Sequence, residues 1–110
     1  MESDIITACE TFSKGDAFSI SSYIDDEVVW EIIGDKTIQG KDDLLEFCKE
    51  LNTFDDCEFE NIKTTVGLGQ IVVEGFDKKS KNVFYCDSYT IKDKKIISIH
   101  SYCICNDCVK

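Results

Sequence analysis

The strongest constraint in the chain lies between Asn82 and Cys103, where two alternating apolar runs flank a short charged turn. Side chains alternate between the two faces of a strand, so residues two positions apart share a face. One face of the first run then carries Val83, Tyr85, Asp87, Tyr89 and Ile91. Asp87 is the only charge on this face. A carboxylate placed there is costly unless it is hydrogen-bonded, paired, protonated or lining a pocket.

The size and charge of the chain narrow the class of protein. Its 110 residues suit one domain spanning residues 1–110. The net charge of −10 argues against nucleic acid and membrane surfaces as partners, because phosphate contacts need clustered Lys and Arg. No apolar run reaches the ~18 residues of a membrane span, and no basic leader precedes an apolar stretch at the start. Seven cysteines embedded in apolar patterns are typical of a reducing compartment, so we expect a cytoplasmic protein.

The periodicities predict an α+β fold. Ser3 or Asp4 caps a first helix that ends at Lys14-Gly15, and Asp16 begins a shorter second helix that carries apolar positions up to residue 24. A further helix is predicted over 41–51. Strands are predicted over 28–33, 37–39, 59–66 and 70–76 and in the two runs of the opening stretch, with an irregularity near Asn61. Helices followed by hairpins favour helices packed on one face of a curved antiparallel sheet.

Five phrases carry a family resemblance by their order and spacing. They are Lys14-Gly15-Asp16, DDEVVWEIIG at 25–34, IQGK at 38–41, DSYTI at 87–91 and IISI at 96–99. Together they resemble the nuclear transport factor 2-like superfamily, in particular its SnoaL-like and ketosteroid-isomerase-like branches. The resemblance implies a cone-shaped sheet wrapped around N-terminal helices, an internal apolar pocket and a homodimer through the outer sheet face. Members of this family include isomerases, dehydratases, epoxide hydrolases, polyketide cyclases and non-catalytic binding modules, so the fold does not settle the activity.

The same resemblance implies two catalytic carboxyl groups. Asp87 resembles the aspartate that ketosteroid isomerase keeps protonated in an apolar cavity, where it donates a hydrogen bond to the substrate oxyanion. Glu31 resembles that enzyme's general base. Strand parity opposes the second assignment, because burial of Trp30 turns Glu31 outward. The isomerase's helical tyrosine also corresponds to Ala8 here, so one half of the oxyanion hole is missing.

The remaining candidate residues line a presumed ligand pocket, since aromatic side chains bind flat apolar molecules well. These candidates are Trp30, Tyr85, Tyr89, Tyr23, Phe47 and Ser101. Phe12 is predicted to belong to the core. His100 alternates with Ser101 and Ile99, so we expect it on the outer sheet surface and not in the chemistry.

Metal and cofactor chemistry have weak support in the sequence. The tail contains one C-x-x-C, Cys105 to Cys108, with Cys103 nearby, but a structural zinc site needs two such pairs or additional ligands at suitable spacing. No phosphate-binding glycine loop or nucleophile elbow is present. We therefore expect no metal and no cofactor.

The sequence thus favours a protein that binds a small hydrophobic molecule in an apolar cavity. An isomerase, lyase or cyclase acting by carboxylate proton transfer through Asp87 and Glu31 is the leading hypothesis. A non-catalytic ligand-binding or dimerisation module of the same fold is the alternative.

Overall fold

The computed structural model describes residues 3–51, 58–79 and 83–105. Within these ranges the chain forms two α-helices, a short 3₁₀ turn at Ser21–Tyr23 and six strands. The elements are α1 (Ser3–Ser13), β1 (Ile24–Ile32), β2 (Lys36–Gln39), α2 (Lys41–Leu51), β3 (Phe59–Gly67), β4 (Gln70–Asp77), β5 (Val83–Lys92) and β6 (Lys95–Cys105). No helix in the described ranges has the length and apolar character needed to cross a membrane.

The strands form a single curved sheet in the order β2-β1-β6-β5-β4-β3. The α+β fold with helices against one face is confirmed, but the sheet is mixed. Strand β1 runs parallel to β6, while the other neighbouring pairs are antiparallel. Between β1 and β6 the chain passes through α2 and the β3–β5 meander. Because this connection is long, β6 can pair with β1 in the parallel direction, which a short hairpin would not allow. The sheet does not close into a barrel.

The predicted helix beginning at Asp16 is wrong. The chain instead makes a turn in which Asp16 accepts hydrogen bonds from the backbone N–H and the hydroxyl of Ser19. It then makes the 3₁₀ turn and enters β1 at Ile24. Four serines between 13 and 22 explain the difference, because their hydroxyls compete for backbone hydrogen bonds and favour turns over helix interiors. Apolar spacing alone misassigned a turn as a helix.

Each helix presents an apolar stripe to the inner face of the sheet. In α1 the stripe consists of Ile5, Ala8, Cys9 and Phe12. In α2, whose bounds match the prediction, it contains Leu44 and Cys48. The sheet contributes fully buried residues from four strands, Val28, Ile71, Val73, Tyr89, Ile96 and Ile99. This core fills the space between the helices and the closed part of the curve, and leaves an opening near the C-terminal ends of α1 and α2.

Two irregularities aim side chains at that opening. The β3–β4 register shifts between Asn61 and Lys63, as the slipped alternation predicts. The β5–β6 register shifts between Thr90 and Ile91, next to a tight turn whose two central residues, Asp93 and Lys94, have positive φ. Past the second shift, Asp87 lies directly opposite Ser101.

Candidate functional site

The opening leads into a cavity of about 440 Å³ between the two helices and the inner sheet face. This volume lies in the range of small-molecule sites, which are typically about 300–1,000 Å³. Its inner wall is formed by Phe12, Ser13, Trp30, Ile32, Phe47, Cys48, Phe59, Val83, Tyr85, Asp87 and Ser101. Exposed residues, Lys14, Asp35, Leu51, Tyr102 and Cys103, surround its mouth.

Asp87 is the buried charged group of this cavity and is only 8% exposed. The hydroxyl of Ser13 donates a 2.8 Å hydrogen bond to its Oδ2 atom. Hydrogen bonding from the hydroxyl of Ser101, its cross-strand neighbour, lowers the pKa of the same carboxyl group. Two hydroxyl donors therefore support a carboxyl group that has left bulk water.

Each of these serines is itself held by an aromatic side chain. The indole Nε1–H of Trp30 donates a 2.9 Å hydrogen bond to Ser101, and indole nitrogen is a donor only. The hydroxyl of Tyr89 lies 2.5 Å from that of Ser13. Because the proton of Ser13 points to Asp87, Tyr89 supplies the proton of this bond. Two relays, Trp30–Ser101 and Tyr89–Ser13, thus converge on one carboxyl group.

Burial raises the pKa of Asp87, while the bonds from Ser101 and Ser13 lower it, and burial is the larger effect. The carboxylate is consequently a stronger base than a surface aspartate. Burial also raises the pKa of Cys48, on the same cavity wall, to about 11, so its thiol stays protonated at neutral pH and is a poor nucleophile.

Aromatic side chains line the same cavity as Asp87. Trp30 stacks edge-to-face with Phe12, at 5.1 Å between ring centroids, and with Phe47, at 5.6 Å. Phe12, assigned to the core from sequence, is buried and also lines the cavity. The ammonium group of Lys36 lies 4.8 Å from the centroid of the Phe47 ring. These rings offer an apolar surface beside the one buried carboxyl group among the described lining residues.

Tyr85 lines the cavity from the same face of β5 as Asp87 and owes its position to a glycine. Its hydroxyl donates a 2.7 Å hydrogen bond to Oδ1 of Asn61, whose amide nitrogen in turn donates to the backbone oxygen of Glu10 in α1. Gly75 lies between Tyr85 and Asn61 in the sheet register. A Cβ at Gly75 would collide with the Tyr85 hydroxyl and the Glu60 carbonyl. The missing side chain is what allows the phenol to cross β4.

Glu31 does not line the cavity, which overturns its assignment as the base. It lies on the outer face of β1, half exposed, with its Oε1 atom 3.4 Å from Nε2 of His100 on the neighbouring strand. The reason is strand parity: Val28 and Trp30 are buried, so the residue between Trp30 and Ile32 points outward. His100 lies on the outer surface with it.

Two of the predicted pocket aromatics also lie outside the cavity wall. Tyr89 is fully buried behind Ser13 and stacks against Phe12. Tyr23 sits at the end of the 3₁₀ turn, where its hydroxyl donates to Asp4 at 3.3 Å. Tyr85, Trp30, Phe47 and Ser101 do line the cavity.

Ser13 is a candidate site residue that sequence reasoning missed. A polar residue at the C-terminal end of an amphipathic helix looks like a solvent-facing position, yet Ser13 is only 6% exposed. The available signal was its spacing from Cys9 and Phe12, which puts Ser13 next to the apolar stripe.

The cysteines form no metal centre in the part of the chain that the structure describes. Among those residues, no group of three or more His, Cys, Asp or Glu side chains is arranged to hold an ion. Cys108, which completes the predicted C-x-x-C, lies outside the described ranges.

The fold agrees with the comparisons to known proteins. The SnoaL-like domain family matches residues 6–99. The chain belongs to this family, which lies within the nuclear transport factor 2-like fold. An NTF2-like protein of unknown function from Cytophaga hutchinsonii is 33% identical in sequence, with a TM-score of 0.82, and the match covers 94% of this chain and 99% of that one.

More distant structures share the fold alone. A candidate ketosteroid isomerase from Kribbella flavida is 12% identical with a TM-score of 0.76, covering 91% of this chain and 75% of that one. A candidate polyketide cyclase from Sinorhizobium meliloti is 22% identical with a TM-score of 0.72, covering 89% and 93%. No curated protein matches the chain significantly.

Proposed function

We propose that this protein binds a flat, largely apolar small molecule in the cavity and transfers a proton on it through Asp87. The observation that carries the proposal is the burial of one carboxyl group at the end of two hydrogen-bond relays, inside a cavity walled by aromatic rings. A group with a perturbed pKa in a cleft is a candidate acid or base on physical grounds.

The geometry favours a reaction that needs one carboxyl group instead of two. Among the described residues, the other carboxylate that lines the cavity is Asp35, which is exposed at the mouth. Asp87 is then the group that accepts a proton from one atom of the ligand and returns it to another atom of the same ligand. Isomerisation and intramolecular cyclisation both fit this scheme, and the isomerase-like and cyclase-like proteins of the same fold support it.

The second candidate function is ligand binding without catalysis. Its support is the outward position of Glu31, which removes the second carboxyl group that the isomerase-type reaction uses. In this case Asp87 serves to orient the ligand and the aromatic wall supplies most of the affinity.

Ligand binding is testable through the single tryptophan of the chain, which lines the cavity. Titration of the protein with naphthalene derivatives is expected to shift the indole N–H resonance of Trp30. The affinity for these probes should differ between D87N and the wild type. The matched control, E31Q, replaces an acid by its amide on the outer face. An indole resonance that no probe moves would contradict the proposal.

We also propose a homodimer through the outer sheet face and a cytoplasmic location. Partly exposed Val29, Phe84 and Tyr102 on this face support the dimer, around the Glu31–His100 pair. Free buried thiols at Cys9 and Cys48 support a reducing compartment. Light scattering tests the first proposal, and a monomer at micromolar concentration would contradict it. Fluorescence imaging of the tagged protein tests the second.

A further inference from the structure

The interior of the cavity is unusual in the balance of its hydrogen-bonding groups. Four strong side-chain donors belong to the inner wall: the hydroxyls of Ser13, Ser101 and Tyr85 and the indole N–H of Trp30. Every one of these donors is engaged within the protein. Ser13 and Ser101 donate to Asp87, Trp30 donates to Ser101, and Tyr85 donates to Asn61.

The hydrogen-bond acceptors of the inner wall, by contrast, still have unused lone pairs. The carboxyl group of Asp87 has about four lone-pair sites for its two serine donors. The hydroxyl oxygen of Tyr85, whose proton goes to Asn61, keeps its own lone pairs. Acceptor capacity therefore remains at both Asp87 and Tyr85, while strong donor capacity is used up.

The other donors of the lining residues do not change this balance. Lys14 is an exposed residue at the mouth, the side chain of Tyr102 belongs to the outer sheet face, and the thiol of Cys48 is a weak donor. Rotating a serine proton toward a ligand would remove a donor from the buried carboxylate, and a buried acceptor that loses its partner costs free energy.

We propose that the ligand enters with a hydrogen-bond donor at its buried end, a phenolic, enolic or alcoholic O–H or an N–H, and that this donor binds Asp87. This inference rests on the proposed function and specifies its substrate class. It differs from a site built to hold a carbonyl oxygen, because such a site needs free donors inside the cavity.

The arrangement also indicates which end of the ligand faces the solvent. The strong donors that stay available, above all the Lys14 ammonium group, surround the mouth of the cavity. A molecule with a hydroxyl group at one end of a flat apolar ring system and an acceptor group at the other end satisfies both regions.

Three probes of similar size separate this inference from the proposed function. They are β-naphthol, its methyl ether and methyl β-naphthyl ketone, titrated against the full chain with the Trp30 indole resonance as readout. The naphthol is expected to bind roughly ten-fold more tightly than the ether and the ketone, since one unmatched buried acceptor costs about a factor of ten or more. In D87N the new amide group brings two donors. The ratio of the ketone's dissociation constant to that of the naphthol should therefore fall at least to about the square root of its wild-type value. E31Q should keep the wild-type ratio.

The outcomes point in different directions. A ketone that binds as tightly as the naphthol overturns the inference and leaves the cavity a binding site. Failure of all three probes to bind overturns the inference together with the proposed function. A naphthol preference that survives unchanged in D87N, in a variant whose circular dichroism matches the wild type, overturns the assignment of Asp87 as the acceptor.

Discussion

Ser13, the last residue of α1, donates a 2.8 Å hydrogen bond to Asp87, a residue 74 positions further along the chain in the middle of β5. This contact joins the end of a helix to the inner face of the sheet at the point where the cavity begins. Because the Ser13 proton points to Asp87, the hydroxyl of Tyr89 donates its own proton to Ser13. Ser13, at the end of the helix, therefore helps to set the basicity of the Asp87 carboxyl group on the sheet.

Replacing Ser13 by alanine tests this contact. The variant removes one donor from Asp87 and the acceptor of the buried Tyr89 hydroxyl, so the free energy of unfolding should fall by about 1–3 kcal/mol. Urea unfolding measures the loss. The matched control is Ser88→Ala on the outer face of β5, where the hydroxyl only meets the Gln70 amide in an exposed position; there the change should stay within about 0.5 kcal/mol. Equal losses in the two variants would contradict the role given to Ser13.

The carboxyl group of Asp87 should limit stability at neutral pH. Burial raises its pKa above the ordinary value of 3.8, so ionisation is harder in the folded state than in the unfolded state. Its contribution to stability is therefore full below pH 3.8 and is lost as the pH rises through the raised pKa. Asp87→Asn cannot ionise, so its free energy of unfolding at pH 7 should exceed that of the wild type.

The pH dependence of that gain is the decisive part of the measurement. Denaturant unfolding of both proteins from pH 3.8 upward should show an advantage that grows with pH and then becomes constant. An advantage of D87N that does not vary with pH would mean that Asp87 titrates as a surface aspartate.

Gly75 should be intolerant of a side chain because Tyr85 crosses it. Gly75→Ala drives a methyl group into the Tyr85 hydroxyl and the Glu60 carbonyl, and overpacking of this kind costs about 1–3 kcal/mol. It should also displace Tyr85 and weaken probe binding. Gly67→Ala is the control, since the nearest atom to its added Cβ lies at 3.9 Å. Thermal unfolding that places the two variants within about 1 °C of each other would contradict this account.

Much of the fold follows from periodicity, and the reasons are local. The bounds of α2 and the irregularity at Asn61 follow from apolar spacing and from a slip in alternation. The inward direction of Asp87 and the outward direction of His100 follow from parity alone. The same parity opposed a catalytic Glu31, whereas the family resemblance favoured one. The structure places Glu31 on the outer face, as parity predicts.

The polar half of the site was beyond sequence reasoning because it depends on long-range register. The turn at Asp93 and Lys94 pairs Lys92 with Lys95, and this register continued unchanged would put Asp87 opposite His100. The shift between Thr90 and Ile91 puts Asp87 opposite Ser101 instead. Ser13 reaches the same carboxyl group only through the packing of α1 on the sheet, which no local pattern encodes.

Proton transfer by Asp87 is tested most directly by hydrogen exchange on a bound probe. Naphthoresorcinol carries a phenolic donor and ring C–H bonds that exchange through its keto form, so a single carboxyl group that moves protons should speed deuterium uptake in heavy water. Nuclear magnetic resonance of the probe measures the rate. The wild-type protein and E31Q should exceed the buffer rate by about 100-fold or more, and D87N should return to it. Uptake by D87N at the wild-type rate, or by the wild type at the buffer rate, would contradict the account.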